Sequence, residues 1–459
     1  MFLEEIERTA KIFKSLVKHK KVKLISHLDA DGLSSAAIIA KTLMRDNINF
    51  ELRIIKQLTA KTIGEIKPTE NDILFFTDLG SGQLDLIKDF FNRTQVFVID
   101  HHEAVEMNNM NLFHLNPILF GEDELSSSII CYLFAKNISI MNTDLIDLAI
   151  VGAVGDEQDE KWEFKGLARK ILEEAETLGR ITIIKGIRLY GRNTRPIHKS
   201  LEYSFDPFIP GISGSESHAI HFLSELGISI KENDEWKKLK DLTIEEQQKL
   251  ASAIILERLK VSHANAADIF GEIYTILGRH EEFQDAREFA TMLNACGRTN
   301  HADFGIMLCL NHDSEIEKTW NILDEYKKQV SDGLNLVREG NLILSMPNAN
   351  FILAGSKISD TLIGTVTSVA MNSNIFETDK PLFGIAETED GKLKISARAS
   401  QNLKDINLRE ILLYAATTLG GEAGGHRYAA GGLIDKNLQN DFVSIIDQKL
   451  GEIFGKEKN

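Results

Sequence analysis

Residues 22–32 read VKLISHLDADG, and their reading decides the fold. A short apolar run, Val22–Ser26, stops at His27, Asp29 and Asp31, and the helix-like LSSAAIIAKTLM begins at Leu33. The same order returns downstream. Ile73–Thr77 (ILFFT) ends at Asp78 in DLGSG and precedes QLDLIKDFF, which has a helical pattern. Val96–Ile99 (VFVI) ends at Asp100-His101-His102, and Leu145–Val154 reads as an apolar helix ending at Asp156. Short buried runs alternating with helices predict a mostly parallel sheet covered on both faces. Each polar cluster falls just past the carboxyl end of an apolar run, where open α/β sheets place ligands.

Working outward, the pattern changes near Leu167. Helical periodicity dominates to Gly340, with patterns over Glu245–Lys260, Ala267–Leu277, Asp285–Ala295 and Glu315–Val337. From Asn341 strand-like runs return (LILSM, FILAG, LFGIAE, KLKISARAS), with helical patterns at Leu362–Met371 and Leu408–Leu419 and then GGEAGGHRYAAGG. The expected architecture is α/β: a parallel-sheet domain over 1–166, a mainly helical insert and connecting helix over 167–340, and a smaller α/β domain over 341–459.

The 459 residues carry 52 Lys+Arg against 68 Asp+Glu, a net charge of −16, so a diffuse basic surface for nucleic acid is excluded. Any polyanion must be held by local basic patches or metal. Three cysteines, Cys131, Cys296 and Cys309, fit no paired zinc spacing and suggest a reducing compartment. The N-terminal MFLEEIERTAKIFKSLVKHK mixes charge with apolar residues at helical spacing and does not read as a signal peptide. No apolar run approaches the roughly 20 residues of a membrane span. The expectation is a soluble, cytoplasmic protein.

Mixed imidazole and carboxylate groups suit Mn²⁺ or Mg²⁺ better than thiolate-seeking metals. Each cluster has a plain alternative: Asp31 can cap the following helix, and DHH can be a solvated turn. Four clusters at one kind of position favour the metal reading. Arg188, Arg192, Arg195, His198 and Lys199, with Tyr190 among them, form a basic and aromatic patch able to track a single strand, or else a solvated loop paired with acids. Arg298 is a similar candidate.

HLDADG, DLGSG, DHHE and GAVGD, in that order, resemble the four motifs of the DHH phosphoesterase superfamily. GGHRYAAGG (Gly424–Gly432) resembles the GGH signature of its DHHA1 domain, and SARAS (Ser396–Ser400) that domain's phosphate-contacting segment. GRNTRPIHKSLEYSFDPFIPGISG, MLNACGR (Met292–Arg298) and the long insert resemble archaeal RecJ-like exonucleases, most of all the GINS-associated group. The resemblance implies two divalent cations, Mn²⁺ preferred and Mg²⁺ allowed. One takes His27, Asp29 and Asp78; the other takes Asp31, Asp78, His101 and Asp156, with Asp78 bridging. It implies Asp100 orienting His101, and His102 contacting the scissile phosphate or protonating the leaving oxygen, with a structural histidine as the alternative. Ser396, Arg398, Gly424, Gly425 and His426 become phosphate contacts, unless the glycines only make a tight strand-to-helix turn and Arg398 is an exposed strand charge. Arg192, Arg195 and Arg298 become strand contacts. The implied function is a two-metal exonuclease on single-stranded DNA or RNA, working 5′ to 3′ beside replication with GINS as partner and no membrane. The alternatives are a 3′-to-5′ RNA exonuclease, a short-oligonucleotide phosphoesterase, or a replicative-helicase scaffold subunit without activity.

Overall fold

The computed structural model describes residues 1–459 except 124, 160–161, 205–206, 261–265, 313–315, 373–375, 377–378, 401–402, 404–405 and 457–459. Five strands form the first sheet: β1 (Lys21–His27), β2 (Phe50–Ile55), β3 (Asp72–Thr77), β4 (Gln95–Ile99) and β5 (Leu112–Leu115). Their order is β2-β1-β3-β4-β5, and every pairing is parallel. Every residue of β3 is buried, which explains its unbroken apolar run: a parallel sheet is covered on both sides. Alternation along the strands divides the aromatic residues between the faces. On one, Phe13 of α1 (Phe2–Leu16) packs edge-on against Phe75 and Phe97 at centroid distances of 5.5 and 5.2 Å. On the other, Leu74, Phe76, Val96 and Val98 meet Leu84 and Ile87.

Chain order reverses between β1 and β3, so these neighbours form the switch point where open α/β sheets bind ligands. α2 (Ala30–Arg45) leaves β1 and packs against α3 (Ser127–Ile138) and α4 (Ile146–Gly155). The helical pattern after Asp78 is observed as a broken element, with 3₁₀ turns at Ser81–Gln83 and Lys88–Asn92 flanking a single α-turn.

The insert is not wholly helical. β6 (Ile181–Ile187), two short strands β7 (Lys231–Glu232) and β8 (Glu235–Trp236), and β9 (Phe270–Ile276) interrupt it. The helix expected over Ala267–Leu277 is β9, paired antiparallel with β6 from Ile181↔Ile276 to Ile187↔Phe270. β-Branched and aromatic residues in FGEIYTI, together with a partner strand, override its helix-like spacing. The remaining helices appear as α5 (Ile244–Leu259), α6 (Ala286–Arg298) and α7 (Ile316–Arg338), residue 315 lying outside the described set.

The last sheet contains β10 (Ile343–Ser345), β11 (Asn350–Gly355), β12 (Leu382–Glu387), β13 (Lys392–Arg398), β14 (Glu422–Gly425) and β15 (Ala429–Asp435), ordered β10-β11-β12-β13-β15-β14. Only β11–β12 is parallel. Helices α8 (Ile363–Asn372) and α9 (Leu408–Thr418) accompany it, and Phe351, Phe383 and Phe442 fill its core. GGHRYAAGG is a β-hairpin rather than a strand-to-helix turn, because Gly425 pairs with Ala430 across it.

Contacts divide the chain into two compact units, each built from three segments. The first takes Met1–Ile197, Lys231–Ala251 and Ala267–Leu323; the second takes His198–Ile230, Ser252–Ala266 and Asp324–Asn459.

Candidate metal centre

His27 closes β1, and after Leu28 the backbone of Asp29 is extended (φ −82°, ψ −177°), which places its side chain over the start of α2. Asp29 is the helix cap: its Oδ1 accepts from the Gly32 N–H at 3.0 Å. The capping alternative considered for Asp31 therefore belongs to Asp29. The other Asp29 oxygen lies 2.8 Å from His27 Nδ1. Asp31, in the first turn of α2, points inward and accepts the N–H groups of Ser127 (2.8 Å) and Ser128 (3.0 Å) at the start of α3. Gly152 makes the room, since a Cβ there would stand 2.6 Å from Asp31 Oδ1.

Asp78 follows β3 with φ +59°, a left-handed conformation that aspartate tolerates better than most residues. Its Oδ2 lies 3.4 Å from His27 Nδ1 and its Oδ1 3.5 Å from His101 Nε2. Ser127 Oγ donates to Oδ1 at 3.2 Å, while Oδ2 is buried with no hydrogen bond among the described residues. Asp100 follows β4. Its Oδ2 accepts from the Ser81 N–H at 2.8 Å. Its Oδ1 meets the His101 N–H at 2.9 Å and the His102 ring at Nδ1, 2.8 Å away. This corrects the expected role: Asp100 grips His101 through its backbone, and the ring facing its carboxylate is that of His102. Asp156 caps the end of α4 and sets its Oδ2 3.5 Å from His101 Nε2.

Three triads thus have one ligand atom each within 4.8 Å of one another: His27, Asp29 and Asp78; Asp78, His101 and His102; and Asp31, His101 and Asp156. Asp78 and His101 are each shared by two triads. The electrostatics point to a site short of positive charge. Burial, reinforced by Asp78 and Asp156, pushes the Asp31 carboxyl well above its usual range. Burial, with Asp78 and Asp29 nearby, takes Asp156 to about 7 against the pull of His101. Burial disfavours the His27 cation, but Asp29 and Asp78 outweigh it and raise that ring to about 10. Burial likewise opposes Asp29 ionisation, yet the His27 ring holds it well below the carboxylate range. Hard oxygen and imidazole donors with an orphaned buried oxygen on Asp78 fit divalent cations.

The sequence reading left four contributors unassigned. Ser127 and Ser128 orient Asp31 and Asp78, and the SSS run before an apolar helix was the available signal. From α6, Asn294 Oδ1 accepts the Ala30 N–H at 3.1 Å. Gly297 stands so close that a Cβ would run into the Leu28 carbonyl oxygen. Positions three apart share a helix face, so MLNACGR presents both residues to the loop carrying Asp29 and Asp31.

Elsewhere the named residues are distributed differently. Arg188 is buried with its guanidinium over Trp162, and Arg192 is partly buried near Asp285 and Glu288. Arg195 lies 4.9 Å above the Trp320 ring. His198 and Lys199 fall in the second unit, where Lys199 bonds Glu202 and Glu216 at 2.9 and 2.8 Å. Arg298 is half-buried at the end of α6. Arg398 ends β13; its Nε donates to Ser368 Oγ at 2.7 Å and its Nη1 to Ser396 Oγ at 3.1 Å. It pairs in register with Ala429, so it and the hairpin turn carrying His426 share one end of the last sheet. Gly425 adopts φ +127° there, and nothing stands within 4 Å of a Cβ on Gly424.

Three family models match the chain: the DHH family N-terminal domain over 21–153, the DHH-CID domain over 189–269 and the DHHA1 domain over 353–452. An uncharacterised protein of Methanocaldococcus jannaschii is 33% identical over 465 residues, covering 98% of each chain. Among solved structures, RecJ from Thermus thermophilus in complex with Mn²⁺ aligns with a TM-score of 0.59 at 16% identity over 98% of this chain. This chain covers 55% of that RecJ chain, about half its length. CDC45 from Entamoeba histolytica aligns with a TM-score of 0.66 at 12% identity, over 98% of this chain and 99% of that one. Identities this low speak for a shared fold. No described helix is long and apolar enough to cross a membrane.

Proposed function

The chain belongs to the DHH/DHHA1 superfamily of RecJ-like proteins, hydrolases of the phosphoesterase and nuclease kind, and from that premise we propose a metal-dependent exonuclease acting on single-stranded DNA, with RNA as a second substrate. The observation that carries the reading is the set of three overlapping His/Asp triads, joined through Asp78 and His101 at the switch point of the sheet. His27, Asp29 and Asp78 would hold one divalent cation, and Asp31, Asp78, His101 and Asp156 a second, with Mn²⁺ preferred over Mg²⁺. Cations so placed supply Lewis acidity that neutralises charge growing on the phosphoryl oxygens.

The chain's own groups do the rest. Asp29 and Asp31 are fixed by the ends of α2 and α3, so their oxygens are oriented before any cation arrives. Asp100 holds the Nδ1 edge of His102, raising its pKa against the effect of burial and leaving Nε2 as the nitrogen that passes a proton to the leaving oxygen. Ser396, Arg398, Gly424, Gly425 and His426 grip phosphates of the strand, and Arg192, Arg195 and Arg298 contact it further along. The 5′-to-3′ polarity, the GINS partnership and the link to replication rest on the resemblance of the insert motifs to archaeal RecJ-like enzymes.

Digestion of single strands labelled at either end, DNA and RNA, in Mn²⁺ or Mg²⁺ tests the reading. Stepwise release from the 5′ end of a long strand supports it. Activity that collapses as the strand lengthens turns it toward a short-oligonucleotide phosphoesterase, and an inert protein toward a scaffold.

A further inference from the structure

A second concave site lies in the first unit, away from the triads and untouched by the chemistry above. It is a cavity of about 440 Å³, within the range of small-ligand pockets, between the β6–β9 ribbon and α5. Its back wall is Trp162. That residue sits at φ +69°, a conformation a bulky side chain adopts only under constraint. The constraint is visible. Gly271 has no side chain, and the Trp162 Cβ occupies the space a Cβ there would need. Arg188 and Arg287 lie over the indole, the latter 5.0 Å from its centroid.

The opening is different in character. The Phe270 ring is 45% exposed at the mouth. Gln248 from α5 and Glu163 supply an amide and a carboxylate, and both are exposed. Lys185, also exposed, adds an ammonium that forms no ion pair or hydrogen bond among the described residues. An apolar ring, an amide, a carboxylate and a lysine match a nucleobase with its phosphate: the base stacks, its edge meets the amide and carboxylate, and the phosphate meets the lysine, while the other acid of the lining, Glu272, is engaged by Arg169. The cation stands out in a chain of net charge −16. Placement agrees. Trp162 follows Asp156 by only six residues, so the chain limits their separation to about 20 Å.

We propose that this pocket binds a nucleobase of the substrate strand, a few nucleotides from the scissile phosphate. The proposal rests on the single-strand nuclease reading and deepens it by giving the strand a fixed point outside the triads.

The experiment uses the full chain without added metal and follows binding of a fluorescent, mixed-sequence DNA oligonucleotide by anisotropy. A single abasic site is moved along the strand. In the unmodified protein one abasic position should raise Kd about tenfold, within the range of one base–aromatic stack. Phe270→Ala should raise Kd by a similar factor on the intact strand and abolish the penalty at that position, while Phe270→Trp keeps it. Gln248→Ala, an exposed change on a separate element, should reduce the same penalty without altering the melting temperature. A flat abasic scan, or variants binding the strand as the unmodified protein does, overturns the proposal and leaves the pocket to another ligand such as an apolar peptide. Failure of the nuclease reading shows separately, as a protein that cleaves no strand with any metal.

Discussion

At the level of single side chains, Asp78 is the pivot, because both of its oxygens face imidazoles and two triads contain it. Asp78→Asn keeps its shape but removes the charge, and hydrolysis should fall below detection while the circular dichroism and melting profile stay near those of the parent. Turnover at the parent rate would show the site to be elsewhere. His102→Gln should separate chemistry from metal: kcat falls about 10²–10⁴-fold, as for loss of a general acid, while Mn²⁺ affinity measured by calorimetry changes little. The metal-free site also stores protons, with His27 near 10 and Asp156 near 7. Bound cations must displace them, so Mn²⁺ affinity should climb as pH rises from 6 to 8. Calorimetry in buffers of different ionisation enthalpy should show proton release. The Asp and His residues that gather here stood out in the sequence because each cluster follows the carboxyl end of an apolar run. What could not be read was the pairing of Asp100 with the His102 ring. Adjacent positions on a loop give no periodicity from which to tell which neighbour faces the carboxylate.

Among elements, α6 matters more than its distance along the chain suggests. Asn294 and Gly297 hold the Leu28–Ala30 loop, so Asn294→Ala should lower Mn²⁺ affinity about 10–100-fold, the usual cost of losing a group that orients metal ligands, without changing the pKa of His102 read from pH–rate data. Behind the site, Asp147 on α4 binds Arg180 and Arg279, each at 3.1 Å, and both Asp147 and Arg279 are almost wholly buried. Removing the acid strands buried positive charge. Asp147→Asn should cost about 3–5 kcal/mol in urea unfolding, with the metal ligands themselves untouched. The strands of the first sheet were readable because buried parallel strands are short and continuously apolar. β9 was not: its apolar residues also fit a helical spacing, and only pairing with β6, far off in sequence, decides between the two.

Over the whole molecule, each compact unit is assembled from three separate segments, and the chain passes between units within α5 and α7. No local signal in a sequence reports such interleaving, which is why the insert read as one block. The second unit also takes in His198–Ile230 and Ser252–Ala266, where Arg258 donates to the Phe208 carbonyl and Arg338 lies over the Phe208 ring. A fragment holding only residues 324–459 retains every buried residue of the last sheet's core, from Ala349 to Leu450, so it should fold on its own and give dispersed NMR spectra; a molten fragment that binds hydrophobic dyes would show that the other two segments are needed. The interleaving also sets a timetable. During synthesis, the residues that gather around Asp78 have all left the ribosome once Asp156 has. The α6 residues that pin the Leu28–Ala30 loop follow more than a hundred residues later, on the order of ten seconds at ordinary rates of translation. A newborn chain thus carries the carboxylates of the candidate centre for some time with their loop unfastened, and the site is pinned only when about two thirds of the chain has been made.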